Sequence, residues 1–249
     1  MKSFRLAVRV SILAALLAMT GGVGAAAADG PKKDAAAGGP AATEPAPIDL
    51  KLPPPYYVGT PLVYPNDGVH FEEPSPLARP PFLAPKGAVV LSRGKPVTSS
   101  DADPAYGKLS MIVDGEKGPQ AECVTELDTG TQWVQIDLGQ PCEIYAVVVW
   151  HSYGVERVYF DLVVRAADDA DFAKNVRTLY NNDFDNSSGL GLGEDKEYIE
   201  TYEGRIVSAL KDGAGTTARY VRLYSKGNTT DDANHFIEVE VWGKPAAPK

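Results

Sequence analysis

The amino-acid sequence predicts an all-β domain, and three observations carry the prediction. Short apolar runs alternate with period two, as in Phe160-Leu162-Val164-Ala166 against Tyr159-Asp161-Val163-Arg165. Clusters of Gly, Asn and Asp separate the runs, and no long stretch has the 3.6-residue periodicity of an amphipathic helix. The third observation is the stretch from Gln132 to Trp150. Val134, Ile136 and Leu138 alternate there with Trp133, Gln135 and Asp137, and Ile144 to Trp150 is almost continuously apolar, the pattern of a strand buried on both faces. Gly139-Gln140-Pro141 between them has turn chemistry, so a half-buried strand, a turn and a buried strand are expected at the centre of the domain. Many short strands without helices point to a sandwich or barrel.

In chain order, Met1 to Ala28 has the form of a secretory signal. Lys2, Arg5 and Arg9 precede an apolar centre from Val10 to Met19, and Ala25 to Ala28 are small enough for cleavage. That centre is about ten residues, short of the roughly twenty a spanning helix needs. Residues 29–87 are expected to be a linker and extended arm. The first part, to Pro47, is rich in Ala, Gly and Pro and has no periodicity. From Ile48 the prolines remain dense, but Tyr56, Tyr57, Val58, Leu62, Val63, Tyr64, Phe71, Phe82 and Leu83 are too apolar for a solvated linker. The arm is expected to lie across the folded domain; a polyproline-like ligand for a protein partner is the alternative. The domain is placed at 88–243, with 244–249 as a tail. Its expected strands are Val89–Ser92, Leu109–Val113, the two central runs, Tyr159–Ala166, Arg177–Tyr180, Glu197–Thr201, Arg205–Leu210, Arg219–Ser225 and His235–Trp242.

The formal charge of −9 over 249 residues excludes nucleic acid and anionic membrane surfaces as expected partners, because both recruit clusters of Lys and Arg. Neutral ligands or cations suit it better. In an exported chain the pair Cys123 and Cys142 is a candidate disulfide, worth roughly 3 kcal/mol on a chain-entropy model, with two buried free thiols as the alternative. Two cysteines without CxxC spacing do not fill a zinc shell.

In order, GKPVTSSD at Gly94–Asp101, MIVDGEK at Met111–Lys117, the run from Gln132 to His151, RAADDADF at Arg165–Phe172, ARYVRLYSKGNT at Ala218–Thr229 and NHFIEVEVWG at Asn234–Gly243 resemble the discoidin, or coagulation factor 5/8 type C, domain. The surrounding segments Arg79–Gly87 and Asn181–Gly193 are similar to a bacterial exported subgroup. The resemblance implies an eight-stranded antiparallel β-sandwich, a galactose-binding-like jelly roll whose loops at one end bind ligands, commonly glycans. One departure is that Gly115–Gln132 holds no aromatic residue, where many sugar-binding members carry a tryptophan. The resemblance also implies a structural calcium on Glu238 and Asp114, an ion that takes six to eight oxygen ligands.

Candidate ligand-binding residues are His151 and Tyr153 at the end of the buried run, Arg157, Tyr159, Tyr202, Asn228, and His235 at the start of the last one. Imidazole donates or accepts a hydrogen bond near neutral pH. Asp183-Phe184-Asp185-Asn186-Ser187 and Glu194 resemble an EF-hand spacing, but the flanks are not helical and the segment is expected to be a shaped loop. No Ser or Cys has an elbow context, and no carboxylate pair is marked at a cleft, so no catalytic residue is expected. The expected function is a non-catalytic carbohydrate- or envelope-glycan-binding module, exported to the periplasm, cell surface or medium. A structural or protein-interaction module is the alternative.

Overall fold

A computed structural model describes residues 44–56, 69–75 and 77–246. The expected signal, most of the linker, and Tyr57, Val58, Leu62, Val63 and Tyr64 lie outside the described residues. The strands are β1 (Pro45–Pro47), β2 (Leu83–Pro85), β3 (Val89–Val90), β4 (Val97–Ser99), β5 (Thr125–Thr129), β6 (Gln132–His151), β7 (Val163–Ala167), β8 (Arg177–Asn181), β9 (Arg205–Ser208), β10 (Thr216–Ser225) and β11 (Ala233–Pro245). All their ladders are antiparallel, and no α-helix occurs among the described residues.

The central stretch is one strand, not the expected two strands with a turn between them. Both halves of β6 pair antiparallel with β10, Gln132–Asp137 against Ser225–Tyr220 and Cys142–Ile144 against Ala218–Thr216. The chain therefore keeps its direction through Gly139-Gln140-Pro141. Those residues form a bulge opposite Ala218/Tyr220, with Gly139 at φ +85° and its N–H on Asp137 Oδ1 at 2.8 Å. A bulge of this kind lets one strand pass from one sheet to the other at a sandwich corner. The first half of β6 lies between β4 and β10, and β7 and β8 continue that layer. The second half lies between β9 and β11, with β3 and β5 on the far side of β11.

The main core fills the space between the layers. Val134, Ile136 and Leu138 meet Val147, Val149, Val164, Val221, Leu223, Val239 and Val241 there, each such side chain contributing roughly 1.5–3 kcal/mol when fully buried. The opposite face of the second layer is also apolar: Tyr145, Ala146, Val148, Trp150, Ile237 and Trp242 pack with Ile48 and Ala84, and with Phe82 at their margin. The arm covers this face, as expected. β1 and β2 pair with each other, Lys117 Nζ donates to the Lys51 carbonyl at 2.8 Å, and Arg79 donates to the carbonyls of Gly204 and Glu203 at 2.5 and 2.8 Å.

Three expected strands change. Leu109–Val113 is a 3₁₀ turn; a strand would send Ile112 and Val113 to opposite faces, whereas here both enter the core. Glu197–Thr201 forms only a bridge from Glu197 to Phe71. The strand expected from Tyr159 starts at Val163, because Asp161 adopts φ +51° and interrupts the extended run. Thr125–Thr129 is an additional strand beyond those expected.

The expected disulfide is absent: both cysteines are free. Cys142 faces the inter-sheet core near the middle of β6, while Cys123 packs on the arm-side cluster with Tyr153, which lies past the end of that strand. The two thiols thus belong to different clusters, one between the layers and one on the opposite face of the second layer. Burial pushes both thiols up from their ordinary pKa.

Candidate functional site

Where β6 ends and β11 begins, four of the seven candidate ligand residues converge. His151 is fully buried, with Nδ1 2.7 Å from Glu200 Oε1 and its ring stacked on Tyr159 at a centroid separation of 4.4 Å. The Tyr159 hydroxyl lies 3.1 Å from His235 Nδ1. Arg157 Nη1 donates to that same nitrogen at 3.0 Å, and its Nη2 is 3.2 Å from Asp231 Oδ2. Because a guanidinium only donates, His235 Nδ1 must accept, which places the imidazole proton on Nε2. That nitrogen is 3.4 Å from Glu126 Oε2. The His235 pKa is lowered, first by burial and then by the Arg157 charge, while Asp231 and Glu126 pull the other way.

The sheet continues the cluster outward. His235 pairs with Glu126, and Glu126 forms an antiparallel bridge to Tyr106. Residues directly opposite one another in antiparallel strands project from the same face. Tyr106, Glu126 and His235 therefore form a row, with Arg157 and Asp231 at its end. Tyr106 is 47% exposed, and the Glu126 and Asp231 carboxylates are each 39% exposed. The row joins an open aromatic ring, two carboxylates, a guanidinium and a neutral imidazole.

The other candidates have different places. Tyr153 is buried, its hydroxyl donating to the Lys117 carbonyl. The Tyr202 carbonyl accepts the Trp150 indole N–H at 3.0 Å, and its side chain packs on the arm-side cluster. Asn228 builds the turn that carries Asp231: its Nδ2 donates to Asp231 Oδ1 and the Ala233 carbonyl, and its Oδ1 accepts from Thr230 N and Asp231 N. Glu126, Glu200 and Tyr106 were not singled out from the sequence. Only pairing across strands brings them to the site.

Glu238 lies on β11 at the Asp114 turn, fully buried. Its Oε2 accepts the Gly115 N–H at 2.9 Å, its Oε1 has no hydrogen-bond partner, and burial pushes its carboxyl up to about 8. A buried carboxylate oxygen without a partner fits a cation ligand. The Asp114 side chain accepts from Glu116 N at 2.9 Å, and its carbonyl accepts from the Arg93 guanidinium. Elsewhere, Asp161, Asp183 and Asp185 bring carboxylate oxygens within 4.8 Å of one another. There the Ser187 and Ser188 N–H groups, the Ser187 hydroxyl and Lys226 engage them. They act as the staple of the expected shaped loop.

No family model matches the sequence, and no curated protein matches it. Solved structures do. Chitosan-binding module 1 from a chitosanase/glucanase of Paenibacillus sp. IK-5 is 20% identical with a TM-score of 0.40, covering 62% of this chain and 99% of that one. The family 32 carbohydrate-binding module of AlyQ, in complex with 4,5-unsaturated mannuronic acid, is 19% identical with a TM-score of 0.38, covering 59% and 92%. The family 32 module of C. perfringens NanJ, in complex with galactose, is 9% identical with a TM-score of 0.43, covering 62% and 98%. At these values the fold rests on the strand ladders themselves, and the chain is similar to these binding modules in its all-β domain.

Proposed function

We propose that the chain is an exported, non-catalytic module that binds a carbohydrate at the loop end holding Arg157 and His235. The row from Tyr106 through Glu126 and His235 to Arg157 and Asp231 supports this reading. Sugar hydroxyls both donate and accept. The row offers charge-assisted partners of both kinds, already oriented by one another and by the sheet, beside an exposed ring for an apolar sugar face. A glycan array probed with the mature protein tests the reading. Bound glycans should lose about tenfold or more in affinity with Arg157→Ala, since a charged partner is removed from a part-buried site. If no glycan binds and one defined protein co-purifies instead, the chain is an interaction module.

Export through residues 1–28 and a structural calcium on Glu238 belong to the same proposal. A mature N-terminus found near Asp29 outside the cytoplasm would support export; retention of the intact leader in the cytoplasm would refute it. For the ion, Glu238 and Asp114 would supply carboxylate oxygens, and the ion would tie β11 to that turn. Millimolar calcium should then raise Tm and a chelator reverse the rise, by linkage. An unchanged Tm in both arms excludes the ion.

A further inference from the structure

A second feature lies on the opposite side of the second layer from the core. Between the arm and the loop 115–120 is a cavity of about 570 Å³, lined by Tyr56, Arg93, Glu116, Lys117, Gln120, Glu240 and Trp242 among others. That volume falls within the roughly 300–1,000 Å³ of small-molecule sites. We propose that this cavity is a second saccharide site, distinct from the loop end, and that it takes an uncharged sugar ring.

Charge argues for a neutral ligand. The wall carries Lys51, Arg93 and Lys117 against Asp49, Glu116 and Glu240. Two pairs are already closed, Lys117 with Glu240 at 2.5 Å, almost wholly buried, and Lys51 with Asp49 at 2.5 Å in the open. Trp242 Nε1 donates to the other Glu240 oxygen at 2.9 Å. Arg93 and Glu116 remain, exposed and of opposite sign, so a net charge on the ligand would be opposed by one of them. Hydroxyl groups satisfy both, and the exposed Gln120 amide adds a donor and an acceptor.

Shape argues for a ring. The loop 115–120 has no aromatic residue of its own, but the arm brings Tyr56 to the same cavity, 43% exposed. Tyr153 meets that ring edge-on at a centroid separation of 6.3 Å. Tyr153 is itself fixed by its hydrogen bond to the Lys117 carbonyl. An aromatic face held in place but left open costs little entropy to engage the C–H face of a sugar. The arm thus supplies through space what the loop lacks in sequence.

Titration calorimetry of the full mature chain with cellobiose, lactose and N,N′-diacetylchitobiose tests the site. At least one disaccharide should bind with a component that Tyr56→Ala weakens about tenfold or more, Tyr56→Phe keeps within about threefold, and Arg157→Ala leaves unchanged. The proposal requires that unfolding curves of the variants match the parent. If Arg157→Ala abolishes all binding while Tyr56→Ala and Gln120→Ala titrate like the parent, the cavity is not a site and the loop end stands alone. Loss in Tyr56→Ala with no effect of Arg157→Ala supports the cavity and removes the loop end. No heat with any of the three disaccharides overturns the cavity proposal.

Discussion

His235 owes its chemistry to its neighbours. Arg157 and Tyr159 face Nδ1, Glu126 faces Nε2, and Asp231 lies 3.9 Å from Nδ1. Their combined effect with burial is a folded pKa below that of a free imidazole. A depressed histidine contributes stability that is present above the unfolded pKa and lost as the pH falls through the folded one, because the unfolded state then binds the proton more readily. Stability should therefore decline on the acid side of the ordinary imidazole range, and His235→Gln should flatten that part of the curve. Urea denaturation across the range, with parent and variant side by side, measures it. Equal acid slopes would refute the assignment.

At the scale of the element, β6 organises the molecule. Its inward residues belong to the inter-sheet core along both halves, and Tyr145, Ala146, Val148 and Trp150 carry the arm-side face. Trp150 is fully buried and is scaffold; Trp133, half-buried, has the Arg222 guanidinium 4.3 Å from its ring. The turn entering β9 is fitted to Trp150. Gly204 has φ +64°, and a Cβ there would stand 2.5 Å from the indole. Gly204→Ala combines left-handed strain with overpacking against a ring that has no room to move, and should cost about 2–3 kcal/mol in equilibrium unfolding. A loss below about 0.5 kcal/mol, within the range of a surface change, would mean that the turn is slack.

For the whole molecule, the arm completes the fold. A chain beginning at Ala88 would uncover Trp242 and the arm-side face and remove the Lys51 carbonyl from Lys117. The Lys117–Glu240 pair would then meet water, and an apolar face of the second layer would be open to association. Such a truncation should unfold at lower urea, show red-shifted tryptophan emission and tend to self-associate. Unchanged emission with a monomeric profile would show the arm to be dispensable.

The sequence by itself determined the class and most of the strands. Period two along Val134–Leu138, the doubly apolar Ile144–Trp150, and β-branched runs between Gly/Asn/Asp turns are local patterns, and burial obeys them directly. The turn chemistry of Gly139–Pro141 was equally visible. Whether it reversed the chain or bent it around a corner depended on β10 pairing with both halves, which is a non-local fact. The same limit applies to the site. His151, Arg157 and His235 stand out as residue types at strand ends, but Glu126, Glu200 and Tyr106 look like ordinary strand and loop residues until register places them beside the histidines. The cysteines show the reverse error: a plausible pair in sequence is divided between two clusters on opposite faces of the second layer. Residue patterns encode which face is buried, while distance between faces is set only when the strands pair.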